Sequence, residues 1–108
     1  MENMIKVLYK KPYGKIEEIE IKNDYKELQR LVDGWIEIVP MPGMEGIDII
    51  LDEEGKLKDL DPNFDIYEYC DTIVGPVVIA GNDGYGETIS LTPEQIKFAK
   101  KFILENAY

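Results

Sequence analysis

The sequence predicts an α+β fold: a single compact domain over residues 1–108, with two helices and a mixed or antiparallel sheet of about five to seven short strands. Three observations predict it. Several short stretches alternate apolar and polar residues with the period of a strand, as at residues 5–9 and 19–21. Two stretches begin with a helix cap and continue with apolar residues at helical spacing, after Asp24 and after Thr92. Gly and Pro punctuate the chain between these stretches, and neither a linker nor an internal repeat divides it.

Taken in order, Ile5, Val7 and Tyr9 face one way and Lys6 and Lys10 the other, which makes a first strand. Lys11-Pro12-Tyr13-Gly14 turns the chain, and Ile19 and Ile21 alternate with Glu18, Glu20 and Lys22 in a second strand. Asp24 with Glu27 three residues on resembles a capping box. The helix behind it shows the stripe Tyr25, Leu28, Leu31 and Val32, and ends at Asp33-Gly34, where Gly suits the left-handed cap. Residues 35–39 read as a strand that Pro40-Met41-Pro42-Gly43 breaks. Residues 47–51 are a short, nearly all-apolar strand, hence central. Asp52-Glu53-Glu54-Gly55 reads as a hairpin turn into Lys56-Leu57. Residues 59–71 are irregular, with room for one short helix around residues 64–69. A strand over residues 72–80 is interrupted at Gly75-Pro76, and residues 87–91 form a last short strand. In the C-terminal helix Thr92 caps, Pro93 takes the first helical position and Gln95 completes a capping box. Ile96, Ala99, Phe102 and Ile103 make its buried face, and Lys97, Lys100 and Lys101 stay wet.

Composition narrows the function. With 44% hydrophobic residues in 108, the chain builds a core and is not a disordered tail. No apolar run reaches the roughly 18–20 residues of a membrane span, and the first residues read as a strand and not a signal peptide. One cysteine, Cys70, allows no internal disulfide, so the expected setting is the cytoplasm, and the expected role of Cys70 is a small buried apolar residue. There is no histidine, Arg30 is the only arginine and Ser90 the only serine, which removes the usual parts of hydrolytic and phosphate-clamping sites. The net charge is -10 and uneven. Residues 1–22 hold five lysines against four acids and residues 92–108 three lysines against two acids, whereas residues 23–91 hold 16 acids against four basic residues. Such a field repels nucleic acid and anionic membrane and attracts basic protein surfaces.

Four local features invite a chemical reading. Asp61-Pro62-Asn63-Phe64-Asp65 has the spacing that opens a calcium loop, but position six is Ile66 where a glycine turns the chain, and position twelve is Thr72 where a glutamate chelates. An acidic turn is the plainer reading, and no metal or other cofactor is expected. Residues 81–86 could cradle a phosphate on backbone N–H groups, yet no Walker lysine follows, and Asn82-Asp83-Gly84 is ordinary turn chemistry. Glu37 shares a strand face with Trp35 and Val39, where a carboxylate could act as an acid; one carboxylate without a placed partner is a thin basis for catalysis. Residues 45–71 carry ten acids against Lys56 and Lys58, with Phe64, Tyr67 and Tyr69 among them. Alternate residues of a strand lie about 6.6 Å apart, near the phosphate repeat of one DNA strand, so this segment could present a DNA-like face with aromatic anchors to a basic groove. The plainer reading is a solvated acidic face.

The ordered set of short motifs is also familiar. Residues 31–40, LVDGWIEIVP, resemble a "VGG-aromatic/Ile-IE-V" core. Asp52-Glu53-Glu54-Gly55-Lys56-Leu57 resembles "NEEGKL", Pro62-Asn63 a following "PN", and residues 81–95 a closing "G-D-G-E-SLT-EQI". Together they resemble a domain-of-unknown-function family of small proteins carried by phages, plasmids and gut or soil Firmicutes, over nearly the whole chain. The resemblance implies a mobile-element setting and brings no activity, cofactor or catalytic residue. In that family a basic residue commonly follows the asparagine; here it is Phe64.

Three expectations follow. The first is a non-enzymatic accessory protein that inhibits a host protein with a basic surface, through Asp59, Asp61, Phe64, Asp65, Tyr67, Glu68 and Tyr69. The second is a binder of a small ligand such as a nucleotide signal, through Trp35, Glu37, Asn63, Asn82, Asp83, Gly84 and Tyr85, in a pocket that a homodimer interface would complete. The third is a metal-dependent enzyme, which requires three or more converging carboxylates.

Overall fold

Alternation sets the two faces of the first strand and, through it, the layering of the molecule. The computed structural model describes residues 3–108. Strand β1 (Met4–Lys10) sends Ile5 and Val7 to one buried cluster and Leu8 to another on the opposite face. It pairs antiparallel with β2 (Glu17–Lys22), Val7 opposite Ile19. Helix α1 (Tyr25–Val32) starts where the Asp24 carboxylate accepts the Glu27 N–H at 2.8 Å. Asp33, not Gly34, takes the left-handed C-cap, with φ 60°. Gly34 instead makes room for a neighbouring side chain, since a Cβ there would stand 2.6 Å from the carboxylate of buried Asp52.

Strands β3 (Ile36–Pro40) and β4 (Ile47–Asp52) form a second antiparallel pair. Strand β7 (Val77–Asn82) lies between β1 and β4, so the main sheet runs β2-β1-β7-β4-β3, with the two-residue strand β8 (Thr88–Ile89) also beside β7. Every pairing is antiparallel. Strands β5 (Pro62–Ile66) and β6 (Asp71–Val74) form a separate two-stranded ribbon, which brings the strands among the described residues to eight against the five to seven expected. The interruption at Gly75-Pro76 is real, and it moves the chain from one sheet to the other.

Three expectations fail between β4 and β6. No strand follows the 52–55 turn; residues 53–59 coil in consecutive turns closed by Lys58 N–H to Glu54 O and Leu60 N–H to Gly55 O, and Leu57 is 86% exposed. No helix covers Phe64, which is an extended residue of β5, and only Tyr67–Tyr69 form one 3-10 turn. Cys70, at φ 50° directly after that turn, is exposed and not a core residue.

Helix α2 (Pro93–Asn106) has the capping box that its sequence spells, Thr92 with Gln95. Its Ala99 and Ile103 are buried, with Ile96 and Phe102 packed beside them. The α2 face, the ribbon residues Phe64, Ile66 and Ile73, and the sheet residues Leu8, Ile49 and Ile79 make one core. Leu28 and Val32 of α1 close the other core over Ile5, Val7, Ile50 and Val78. Covering a side chain of this size stabilises by roughly 1.5–3 kcal/mol, so both helices are held mainly by the faces they bury. No helix of the described residues is long and apolar enough to cross a membrane.

Candidate functional site

The ribbon is tied to the sheet by a buried polar pair. Lys10, 3% exposed, donates from Nζ to Asn63 Oδ1 at 2.7 Å, and Asn63 returns its amide hydrogens to the carbonyls of Lys10 (3.0 Å) and Gly75 (2.9 Å). Burial pushes the Lys10 ammonium below its ordinary range. The C-terminus adds a second tie: Ala107 bridges Phe64, and the Tyr108 N–H donates to Asn63 O at 3.1 Å.

These ties place a tyrosine-bearing acidic surface at the far end of the ribbon. Asp65 accepts hydroxyl donations from Thr72 (2.7 Å) and Tyr108 (2.8 Å). The bond to Asp65 pushes the Tyr108 hydroxyl up from its usual range. Asp71 pairs with Lys56 and accepts the Thr72 N–H at 2.9 Å. Asp65, Tyr67, Asp71 and Tyr108 border a shallow hollow of about 220 Å³. Tyr67 is 73% exposed and Tyr108 52%, while the Tyr69 hydroxyl reaches back to Pro40 O at 2.7 Å. Glu68 is exposed in the same 3-10 turn.

Of the seven residues expected to contact a partner, Asp65 and Tyr67 border this hollow, while Glu68 and Tyr69 share the 3-10 turn with Tyr67 but do not line it. Asp59 and Asp61 are exposed but outside the hollow. Phe64 is no contact residue: it is wholly buried, edge-on to Phe102 with ring centroids 6.4 Å apart. Asp71, Thr72 and Tyr108 escape a reading of the sequence because they join through ribbon pairing and the C-terminal bridge.

The second expected set does not converge. Asn63 is buried structural glue and cannot meet a ligand. Trp35, 62% exposed, borders a hollow of about 300 Å³ with Gln29, Gly34, Glu54 and Lys58. Glu37 is exposed on β3 and borders neither this hollow nor the cleft below. Asn82, Asp83 and Gly84 do come together, on an open cleft of about 710 Å³ whose other wall is Pro40, Met41 and residues 43–47. Tyr85, 93% exposed, stands clear of it. The phosphate-cradle idea fails on geometry. The N–H groups of Tyr85 (2.7 Å) and Glu87 (3.1 Å) donate to the Asp83 carboxylate, and that of Gly84 donates to Asn82 Oδ1 at 3.0 Å. The loop spends its donors on its own side chains, and Glu45 and Asp83 on the cleft add charge of the wrong sign for an anion. Among the described residues no three Cys, Asp or Glu side chains come together as a metal ion would require.

A family model described as "Domain of unknown function (DUF3846)" matches residues 5–104. No curated protein and no solved structure matches the chain.

Proposed function

The chain belongs to the DUF3846 family, and from that premise we propose that it is a non-enzymatic binding protein that docks on a basic protein surface through the tip of the β5–β6 ribbon. The setting proposed is that of a phage or mobile-element accessory protein acting in the cytoplasm of a bacterial host, where it would inhibit a defence or nucleic-acid-binding factor. One observation carries the binding role: Tyr67 and Tyr108 stand exposed on a hollow flanked by Asp65 and Asp71. Exposed tyrosines give large anchors at small entropic cost, and Asp65, which pairs with no lysine or arginine among the described residues, favours a cationic partner. The charge of -10 adds a long-range field of the same sign.

The test compares the wild-type chain with a Tyr67→Ala/Tyr108→Ala double variant as baits in host lysate at low and high salt. A basic protein held by the wild type at low salt, and released by either the substitutions or the salt, is the expected result. Equal capture by both baits, or capture indifferent to salt, overturns the reading.

The cleft of about 710 Å³ supports a second reading, a small-ligand binder, because it collects Asn82, Asp83 and Gly84. Its lining holds no lysine or arginine, which disfavours a nucleotide. A melting temperature unmoved by every nucleotide offered removes the nucleotide form of that reading.

A further inference from the structure

Strand β4 carries two carboxylates on one face, four residues apart, with different surroundings. Asp52, 2% exposed, has its own cation: Lys58 Nζ lies 2.7 Å away, and the Glu54 N–H donates at 2.9 Å. Asp48, opposite Ala80 on the same face, is partly buried and accepts only the Asn82 side-chain amide, at 3.0 Å. Among the described residues no lysine or arginine pairs with it. A neutral amide offsets only part of the cost of desolvating a carboxylate. Burial accordingly pushes the Asp48 carboxyl up, with the Asn82 amide opposing.

Asp48 opens on a cleft of about 310 Å³ at the end of the sheet face that α1 leaves uncovered. Ile38, 50% exposed, forms an apolar wall, and Glu87 adds a second carboxylate to the lining. Gly84 and Gly86, at φ 82° and 99°, form part of the rim, and no atom lies within 4 Å of where either Cβ would stand, so the approach is open. The lining offers too few hard oxygens for a bare divalent ion. It fits a head group that brings several N–H donors and one positive charge, on an apolar stem that can lie along Ile38.

We propose that the cleft over Asp48 is a subsite for an organic cation: a primary ammonium or guanidinium on an aliphatic stem, the chemistry of a lysine or arginine side chain. The subsite lies on the opposite face of the main sheet from the ribbon, and it stands whether or not the tyrosine surface binds a protein. The Tyr67 and Tyr108 substitutions leave it intact, so the two ideas fail separately.

The experiment titrates nitrogen-15-labelled protein with N-acetyl-lysine methylamide, N-acetyl-arginine methylamide, the neutral N-acetyl-glutamine methylamide, and 1,4-diaminobutane. Saturable amide shifts at Ile38, Asp48, Asn82 and Thr88 with the cationic probes alone are expected. Asp48→Asn, which keeps the shape and the rest of the spectrum, weakens them roughly tenfold. Tighter binding of the blocked residues assigns the subsite to protein side chains, and tighter binding of the diamine assigns it to free amines. Ile38→Ser keeps both carboxylates and weakens the same probes through the lost stem contact. Shifts spread over the whole acidic surface, shifts equal with the glutamine probe, or titrations unchanged in Asp48→Asn overturn the proposal.

Discussion

Asn63 is a buried residue whose amide hydrogens and carbonyl oxygen are all engaged. It accepts from the buried Lys10 ammonium and donates to the carbonyls of Lys10 and Gly75, so it joins its own strand to two other segments. Asn63→Leu takes a partner from all three groups and leaves the Lys10 ammonium only the Lys11 carbonyl, so it is expected to cost about 3 kcal/mol in urea denaturation. Alternation at residues 5–9 puts Lys10 on the opposite face from Ile5 and Val7, and it is there; what alternation cannot say is that a ribbon 53 residues away covers that face. Asp48 is equally hidden, since an acid in a buried strand reads like any acid at a strand end. Its carboxyl holds a proton more firmly in the folded chain than in the unfolded one. The stability due to that proton is full below the unfolded value and is lost as pH rises through the folded one. Asp48→Asn is therefore expected to raise the melting temperature at neutral pH, with the gain shrinking as the pH falls from above the ordinary carboxylate range into it, and gone below that range.

Elements whose causes are local are legible in the sequence, and those whose causes are distant are not. Helix α2 announces itself with Thr92, Pro93, Gln95 and a spaced apolar face, all within a dozen residues. Thr92→Ala removes one half of its capping box and is expected to cost about 1 kcal/mol, read as a shift of the denaturation midpoint at constant slope. Strand β5 gives no such signal. Its sequence, PNFDI, is short and mixed, and it is extended because β6, Lys10 and Ala107 supply its partners. The same distance effect explains the candidate surface. Tyr67, Glu68 and Tyr69 are neighbours in sequence and are found there, whereas Tyr108 arrives from the other end of the chain.

Charge acts at the scale of the molecule, and it acts on folding and on binding with opposite signs. A net -10 on a body with a radius of gyration of 12.7 Å repels itself, and the ion pairs described are mostly exposed and individually weak. Adding sodium chloride from about 0.01 M to about 0.15 M, which shortens the screening length from about 30 to about 8 Å, is expected to raise the melting temperature. The same addition loosens any complex with a basic partner. Melting curves alongside binding isotherms separate the two effects; a melting temperature that falls with salt would show that attraction between the charges outweighs repulsion. The strand order has a temporal meaning as well. Two hairpins, β1–β2 and β3–β4, are each local, but only β7 joins them. During synthesis both hairpins leave the ribosome well before Val77–Asn82 does. In that interval the inner flanks of β1 and β4 lack neighbours, and Leu8, Tyr9, Ile49 and Ile50 are among the residues along them. The nascent chain is thus most prone to pair with other chains just before its keystone strand emerges.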